Sequence, residues 1–187
     1  MVPNEGRTPE GAGIALVGYR GTGKSTVGRL VARRLDRAFI DTDIEIAARA
    51  GMKVAEVFRR MGEPAFRELE ARVIQDCARL SGLVLATGGG AVLKMRNVYT
   101  LRRFGWVAWL AAPPEVLAER LRDDPAGPRP GLTPAGPIAE IGEVLQARTP
   151  YYAMAADLAI PTEGIAPAEV AERVIRGWRA ARMEHPR

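Results

Sequence analysis

The chain is poor in several residues that usually carry chemistry. A single cysteine, Cys77, excludes an internal disulfide and any cysteine-based metal cluster. It stands in a helix-like stretch and reads as a small core residue. The single histidine, His185, lies in the terminal MEHPR, which leaves a Ser-His-Asp triad or a zinc–histidine site without the residues to build it. Only three of the 27 basic residues are lysines (Lys24, Lys53 and Lys94), and serine occurs only at Ser25 and Ser81. No apolar run approaches the ~20 residues of a membrane span. The opening MVPNEGRTPEGAG has no apolar signal-peptide core. Residues 1–12 are therefore expected to form a disordered leader, and the default expectation is a cytoplasmic protein with no membrane partner.

What is present fits a soluble globular protein. A chain of 187 residues with 47% hydrophobic content is long enough to bury a sizeable core and is most simply one domain, expected over 13–182 with a tail at 183–187. The net charge of +5 comes from scattered arginines rather than one basic run. That pattern speaks against a nucleic-acid partner and suits a small anionic ligand.

Strand-like and helix-like segments alternate. GIALVG (13–18), AFID (38–41), LVLA (83–86), WVAWL (106–110) and DLAI (157–160) read as short buried strands. Helical spacing of Val27, Leu30, Val31 and Leu35 follows the first strand, and TDIEIAARAG reads as a helix stopped by Gly51. KVAEVFRRMG and EPAFRELEARVIQDCARL read as two further helices, with Pro64 in a first turn that tolerates it. Helices are also expected near 95–104, 114–122, 138–153 and 167–182. The proline-rich 123–137 cannot be regular structure and is expected to be a mobile connection. Alternation of this kind argues for an α/β fold with a parallel sheet covered on both faces.

Between the first strand and its helix stands Gly18-Tyr-Arg-Gly21-Thr22-Gly23-Lys24-Ser25-Thr26, which fits G-x-x-x-x-G-K-[ST]. Glycines let successive N–H groups turn toward phosphate oxygens, and the following helix adds its N-terminal N–H groups. Lys24 would reach the β- and γ-phosphates and Ser25 would offer its hydroxyl to Mg²⁺. The alternative is a chance match in a glycine-rich chain, made improbable by the scarcity of Lys and Ser.

A carboxylate for the metal is missing from the LVLAT strand end but present at Asp41, with Asp43 two residues on. Ligands gather at the carboxyl ends of strands in such sheets. Two acids at this place could equally be a helix N-terminus stabilised by negative charge. Gly88-Gly89-Gly90 would let a ligand lie directly on backbone. Arg67 and Glu70 fall three apart on one helical face, either as an exposed ion pair worth about 0.2–1 kcal/mol or as an anion grip in which Glu70 holds Arg67.

Taken together, GYRGTGKST, DTD, AFRELE, ATGGGAV, an Arg-Pro in a lid and RTPYY resemble the shikimate kinase family, over roughly residues 13–180. The resemblance implies a three-layer P-loop kinase with a five-stranded parallel sheet of order 2-3-1-4-5 and a lid near 123–137. It implies transfer of the ATP γ-phosphoryl group to the 3-hydroxyl of shikimate, with Mg²⁺ as cofactor. Asp43 would bind the acceptor hydroxyls and act as base, while Lys24 and Arg129 would stabilise phosphate charge. Gly21, Thr22, Gly23, Lys24, Ser25, Thr26 and Arg129 would bind ATP, with Ser25 and Asp41 holding the metal. Arg67 and Arg148 would clamp the shikimate carboxylate over Gly88, Gly89 and Gly90, supported by Glu70, Phe58 and Phe66.

The chain departs from the family in two places. The lid reads Arg129-Pro130-Gly131-Leu132 where Arg-Pro-Leu-Leu is usual, and the loop expected near adenine reads Ile160-Pro161-Thr162 where Val/Ile-Asp-Thr is common. Arg20 stands at a variable position and is assigned no role. The rivals are another small-molecule kinase of the fold, such as a gluconate kinase, and a nucleotide-binding regulator without turnover. A monomer is the default expectation.

Overall fold

The computed structural model describes residues 13–123 and 136–183. The expected leader, the expected lid apart from its ends, and the tail beyond Met183 lie outside the described residues.

Strand β1 (Gly13–Val17) is flanked on both sides by parallel neighbours. A strand in that position meets protein on both faces, and every residue of β1 is buried. Its alternation divides the core in two. Ile14 and Leu16 pack with Val27 and Val31 of α1 (Lys24–Arg34) and with Val170, Val174 and Trp178 of α7 (Pro167–Met183). Ala15 and Val17 face the opposite layer, with Phe66 and Ile74 of α3 (Val54–Cys77), Leu101 of α4 (Met95–Phe104) and Tyr152 of α6 (Ile141–Ala155).

The remaining strands are β2 (Phe39–Asp41), β3 (Val84–Ala86), β4 (Gly105–Ala111) and β5 (Leu158–Pro161). All pairings are parallel and the order is β2-β3-β1-β4-β5, as the resemblance implies. Helices α2 (Thr42–Ala50) and α5 (Pro114–Arg122) complete the connections. No helix among the described residues is long and apolar enough to cross a membrane.

The two expected helices of 53–80 run on as α3, broken at Gly62, whose φ of 78° and ψ of 167° no helix accommodates. Pro64 then falls in the first turn after the break, where its missing N–H costs nothing. β5 starts one residue later than expected because Asp157 replaces a ladder bond with its side chain. Its Oδ2 accepts from the Val107 N–H at 2.8 Å. Pro161 ends this edge strand, where a residue without an N–H is tolerated. Helix α6 starts at Ile141 rather than 138, because 136–140 form a turn in which the Glu140 N–H donates to Gly136 O at 3.2 Å.

β1 and β4 approach so closely at their starts that a Cβ on Gly105 would lie 2.0 Å from Gly13 O. Gly105→Ala is therefore expected to lower unfolding free energy by about 1–3 kcal/mol, the usual cost of overpacking, read by urea denaturation.

Candidate functional site

The phosphate loop follows from β1 and α1. Gly18, Gly21 and Gly23 all have positive φ (140°, 82° and 86°), which curls the backbone in a way other residues resist. The Tyr19 carbonyl collects the loop's polar side chains, accepting from Thr22 Oγ1 at 2.8 Å and Lys24 Nζ at 2.7 Å. Helix α1 has no side-chain cap and no acid in its first turn. Its N-terminal N–H groups and positive dipole end thus remain available to an anion. Ser25 is half-buried beside the loop, and Thr26 is exposed in the same turn.

Asp41 caps a helix and also reaches the phosphate-loop serine. Its Oδ1 accepts from the Asp43 N–H at 3.0 Å and caps α2, while its Oδ2 accepts from Ser25 Oγ at 2.5 Å. The cap holds the carboxylate at the end of β2, and the second oxygen faces the phosphate loop.

The turn after β3 joins the other pieces. A Cβ on Gly88 would lie 2.5 Å from Glu70 Oε1 and 2.9 Å from Asp43 Oδ1. A Cβ on Gly89 would lie 3.3 Å from the Arg20 backbone nitrogen in the phosphate loop. A Cβ on Gly90 would lie 2.4 Å from Arg67 Nη2. Each glycine therefore lets a different side of the site approach bare backbone. The Gly88 N–H donates to the buried Thr42 Oγ1 at 2.9 Å, and Tyr152 Oη donates to Gly89 O at 2.5 Å.

Arg67 and Glu70 do not form the exposed ion pair that spacing alone allows. Their side chains are 10% and 0% exposed, and Arg67 Nη1 donates to Glu70 Oε2 at 2.9 Å. Arg67 Nε and Nη2 also donate to Glu63 Oε1 at 3.1 and 3.0 Å. Burial acts to lower the Arg67 pKa, but pairing with Glu70 and Glu63 outweighs it and the guanidinium stays charged. Burial pushes the Glu70 carboxyl above the usual carboxylate range, against the pull of Arg67. Phe58 and Phe66 stack with ring centroids 4.2 Å apart, and the Arg67 guanidinium lies 5.3 Å from the Phe66 ring. All these partners come from α3, on both sides of the Gly62 break.

Arg148, a surface helix residue by its surroundings in the sequence, is buried. Its guanidinium lies 5.8 Å from the ring centroid of Tyr19. Burial pushes the Tyr152 phenol up to about 12, so it remains a donor at neutral pH. The Tyr152 ring stacks on Trp109 of β4 at 5.7 Å, which fixes this part of α6 to the sheet.

Sequence reading missed several residues that hold the site together. Tyr19, Thr42 and Tyr152 lie inside the motifs GYRGTGKST, DTD and RTPYY but take no role of their own from them. Arg120, in the last turn of α5, reads as an ordinary helix-end cation. It donates to Gly21 O at 3.2 Å and to Thr162 O at 2.7 Å, tying the phosphate loop to the segment after β5. Arg129 lies outside the described residues.

The link from α6 to the glycine turn is testable by itself. Tyr152→Phe leaves the Gly89 carbonyl without this donor and is expected to cost about 1–3 kcal/mol of stability, measured by chemical denaturation.

Comparison with known proteins agrees with this geometry. The family model for shikimate kinase matches residues 20–178. A shikimate kinase from Symbiobacterium thermophilum is 46% identical over 150 residues, covering 80% of this chain and 86% of that protein. One from Syntrophus aciditrophicus is 39% identical over 180 residues, covering 91% and 92%. The solved shikimate kinase of Acinetobacter baumannii, in complex with shikimate, superposes with a TM-score of 0.84 at 33% identity, covering 91% of this chain and 94% of that one. A gluconokinase from Sinorhizobium meliloti reaches a TM-score of 0.53 at 18% identity over 95% of this chain and 96% of its own, a likeness of fold alone. With a phosphate loop, Asp43 and the buried Arg67 meeting at one glycine turn, and with these relatives, the chain belongs to the shikimate kinase family.

Proposed function

We propose that this chain transfers the γ-phosphoryl group of ATP to the 3-hydroxyl of shikimate, giving shikimate 3-phosphate and ADP. The observation that carries the reading is the Gly88–Gly90 turn, against which the phosphate loop, Asp43 and Arg67 all lie. Donor and acceptor groups are thereby within reach of one another across backbone alone.

On the donor side, Gly21, Thr22, Gly23 and Thr26 offer N–H groups to the phosphates, and Lys24 exchanges the Tyr19 carbonyl for the γ-phosphate. Ser25 and Asp41 would hold Mg²⁺: they are hard oxygen donors already 2.5 Å apart, the kind that ion prefers. Held by these two residues, it would supply positive charge to offset that of the phosphates. Arg129, outside the described residues, is assigned to the transferring phosphate by its motif. Arg120 fixes the segment after β5 beside Gly21, where the nucleoside end of ATP would extend.

On the acceptor side, shikimate presents a carboxylate at one end and hydroxyls at the other. Arg67 and Arg148 are buried guanidiniums suited to the carboxylate, since a planar fork meets it with two bonds. Glu70 holds Arg67 in orientation, and the stacked Phe58 and Phe66 form an apolar wall. Asp43 orients the 3-hydroxyl and accepts its proton. Phosphoryl transfer through a loose transition state asks for positioning and charge stabilisation more than for a strong base.

The reading extends to 13–182 as one kinase domain acting as a monomer in the cytoplasm, without a nucleic-acid partner. Many arginines are spent on local ion pairs, such as Arg49 with Glu45 and Asp76, rather than gathered in a patch.

Coupled ADP release with ATP and shikimate tests the assignment, and release without dependence on shikimate would defeat it. Asp43→Asn is expected to lower kcat by about 10²–10⁴-fold. Arg148→Gln is expected to raise the shikimate KM by about 10–100-fold, the loss of a charge-assisted hydrogen bond, and Lys24→Ala to abolish turnover.

A further inference from the structure

Arg20 has no role in the reading above, yet it makes a costly contact. It is the second residue after Gly18 in the phosphate loop, and its side chain is 11% exposed. Its Nη2 donates to Pro137 O at 3.0 Å and to Glu140 Oε1. The Glu140 side chain is wholly buried and stands immediately before α6. Burying two charges is expensive, and a buried pair is weak evidence for stability. Such a pair is better understood by the geometry it imposes.

That geometry concerns α6. The Val144 N–H donates to Glu140 O at 2.9 Å, so Glu140 is the acceptor that starts the helix. Ile141, beside it, packs with Tyr19 of the phosphate loop and Leu117 of α5, in a small apolar cluster separate from the two faces of the sheet. Two turns further on, about 10 Å along the axis at 1.5 Å per residue, is Arg148. The Tyr19 ring is near both guanidiniums, 5.6 Å from that of Arg20 and 5.8 Å from that of Arg148. The far part of α6 is held separately, by Tyr152 on Trp109 and Gly89.

We propose that the Arg20–Glu140 pair is a positioning device that anchors the start of α6 to the phosphate loop and so sets the placement of Arg148 toward the acceptor carboxylate. A residue inside the nucleotide motif thus governs recognition of the acceptor. The proposal rests on the assignment of Arg148 to the shikimate carboxylate.

Steady-state kinetics of the full chain with ATP and shikimate test it, with folding checked by circular dichroism. Arg20→Gln and Glu140→Gln are each expected to raise the shikimate KM about tenfold while the ATP KM stays within about twofold. Arg20→Lys, which keeps charge and donors, is expected to restore most of the shikimate affinity. A rise in the ATP KM with the shikimate KM unchanged would place Arg20 in the nucleotide site and overturn the proposal. So would an effect of Arg20→Gln that Glu140→Gln does not share, which would mean direct contact with the acceptor. Unchanged constants in both overturn it as well, and loss of folding in both would make the pair purely structural. If Arg20→Gln alone does not fold, Glu140→Gln and Arg20→Lys decide. Arg148→Gln is the control: if it leaves the shikimate KM unchanged, the carboxylate assignment itself fails, whatever Arg20 does.

Discussion

The site depends on three consecutive residues without side chains. A Cβ at Gly88 would meet Glu70 and Asp43, and one at Gly90 would overlap the Arg67 guanidinium. A turn of this composition brings charged groups from α2 and α3, and the backbone of the phosphate loop, against a single stretch of chain. Its polar atoms are fixed in turn by Thr42 and Tyr152. The rest of the fold can be seen as the means of delivering this turn to the carboxyl end of the central strands.

Like charges are tolerated side by side because of what each is bonded to. Glu70 sits near Asp43, and its burial favours the neutral form, while Arg67 draws it toward the charged one. Arg67 gains from this arrangement, because two glutamates hold its guanidinium in place despite burial. On the donor side, Asp41 divides its oxygens between a helix cap and Ser25. One side chain therefore aligns α2, which carries Asp43, with the phosphate loop.

The order of elements was legible because each strand is a short apolar run and each helix shows its period or its punctuation. Gly51 and Gly62 stop helices where their left-handed φ is needed. The donor half was legible because a phosphate loop is contiguous: its chemistry depends on backbone and on residues within one turn of one another. The residues proposed for the acceptor come from family motifs rather than residue chemistry. Arg148 shows why, since its neighbours in sequence are those of an exposed helix and only the packing of α6 on Tyr19 and Trp109 buries it. Arg20, Glu140 and Arg120 left no comparable trace, as each acts on a partner some 40 to 120 residues away.

By itself the sequence determined the parallel α/β class and the phosphate loop with Lys24 and Ser25. Those follow from local rules: periodicity, backbone freedom and the donors of a helix terminus. Only the tertiary structure decided that Arg67 and Glu70 form a buried pair rather than a solvated one, that Asp41 serves cap and serine together, and that Arg20 is tied to α6. Each of these depends on which elements the sheet order brings side by side, and burial, unlike spacing, is a property of the assembled layers.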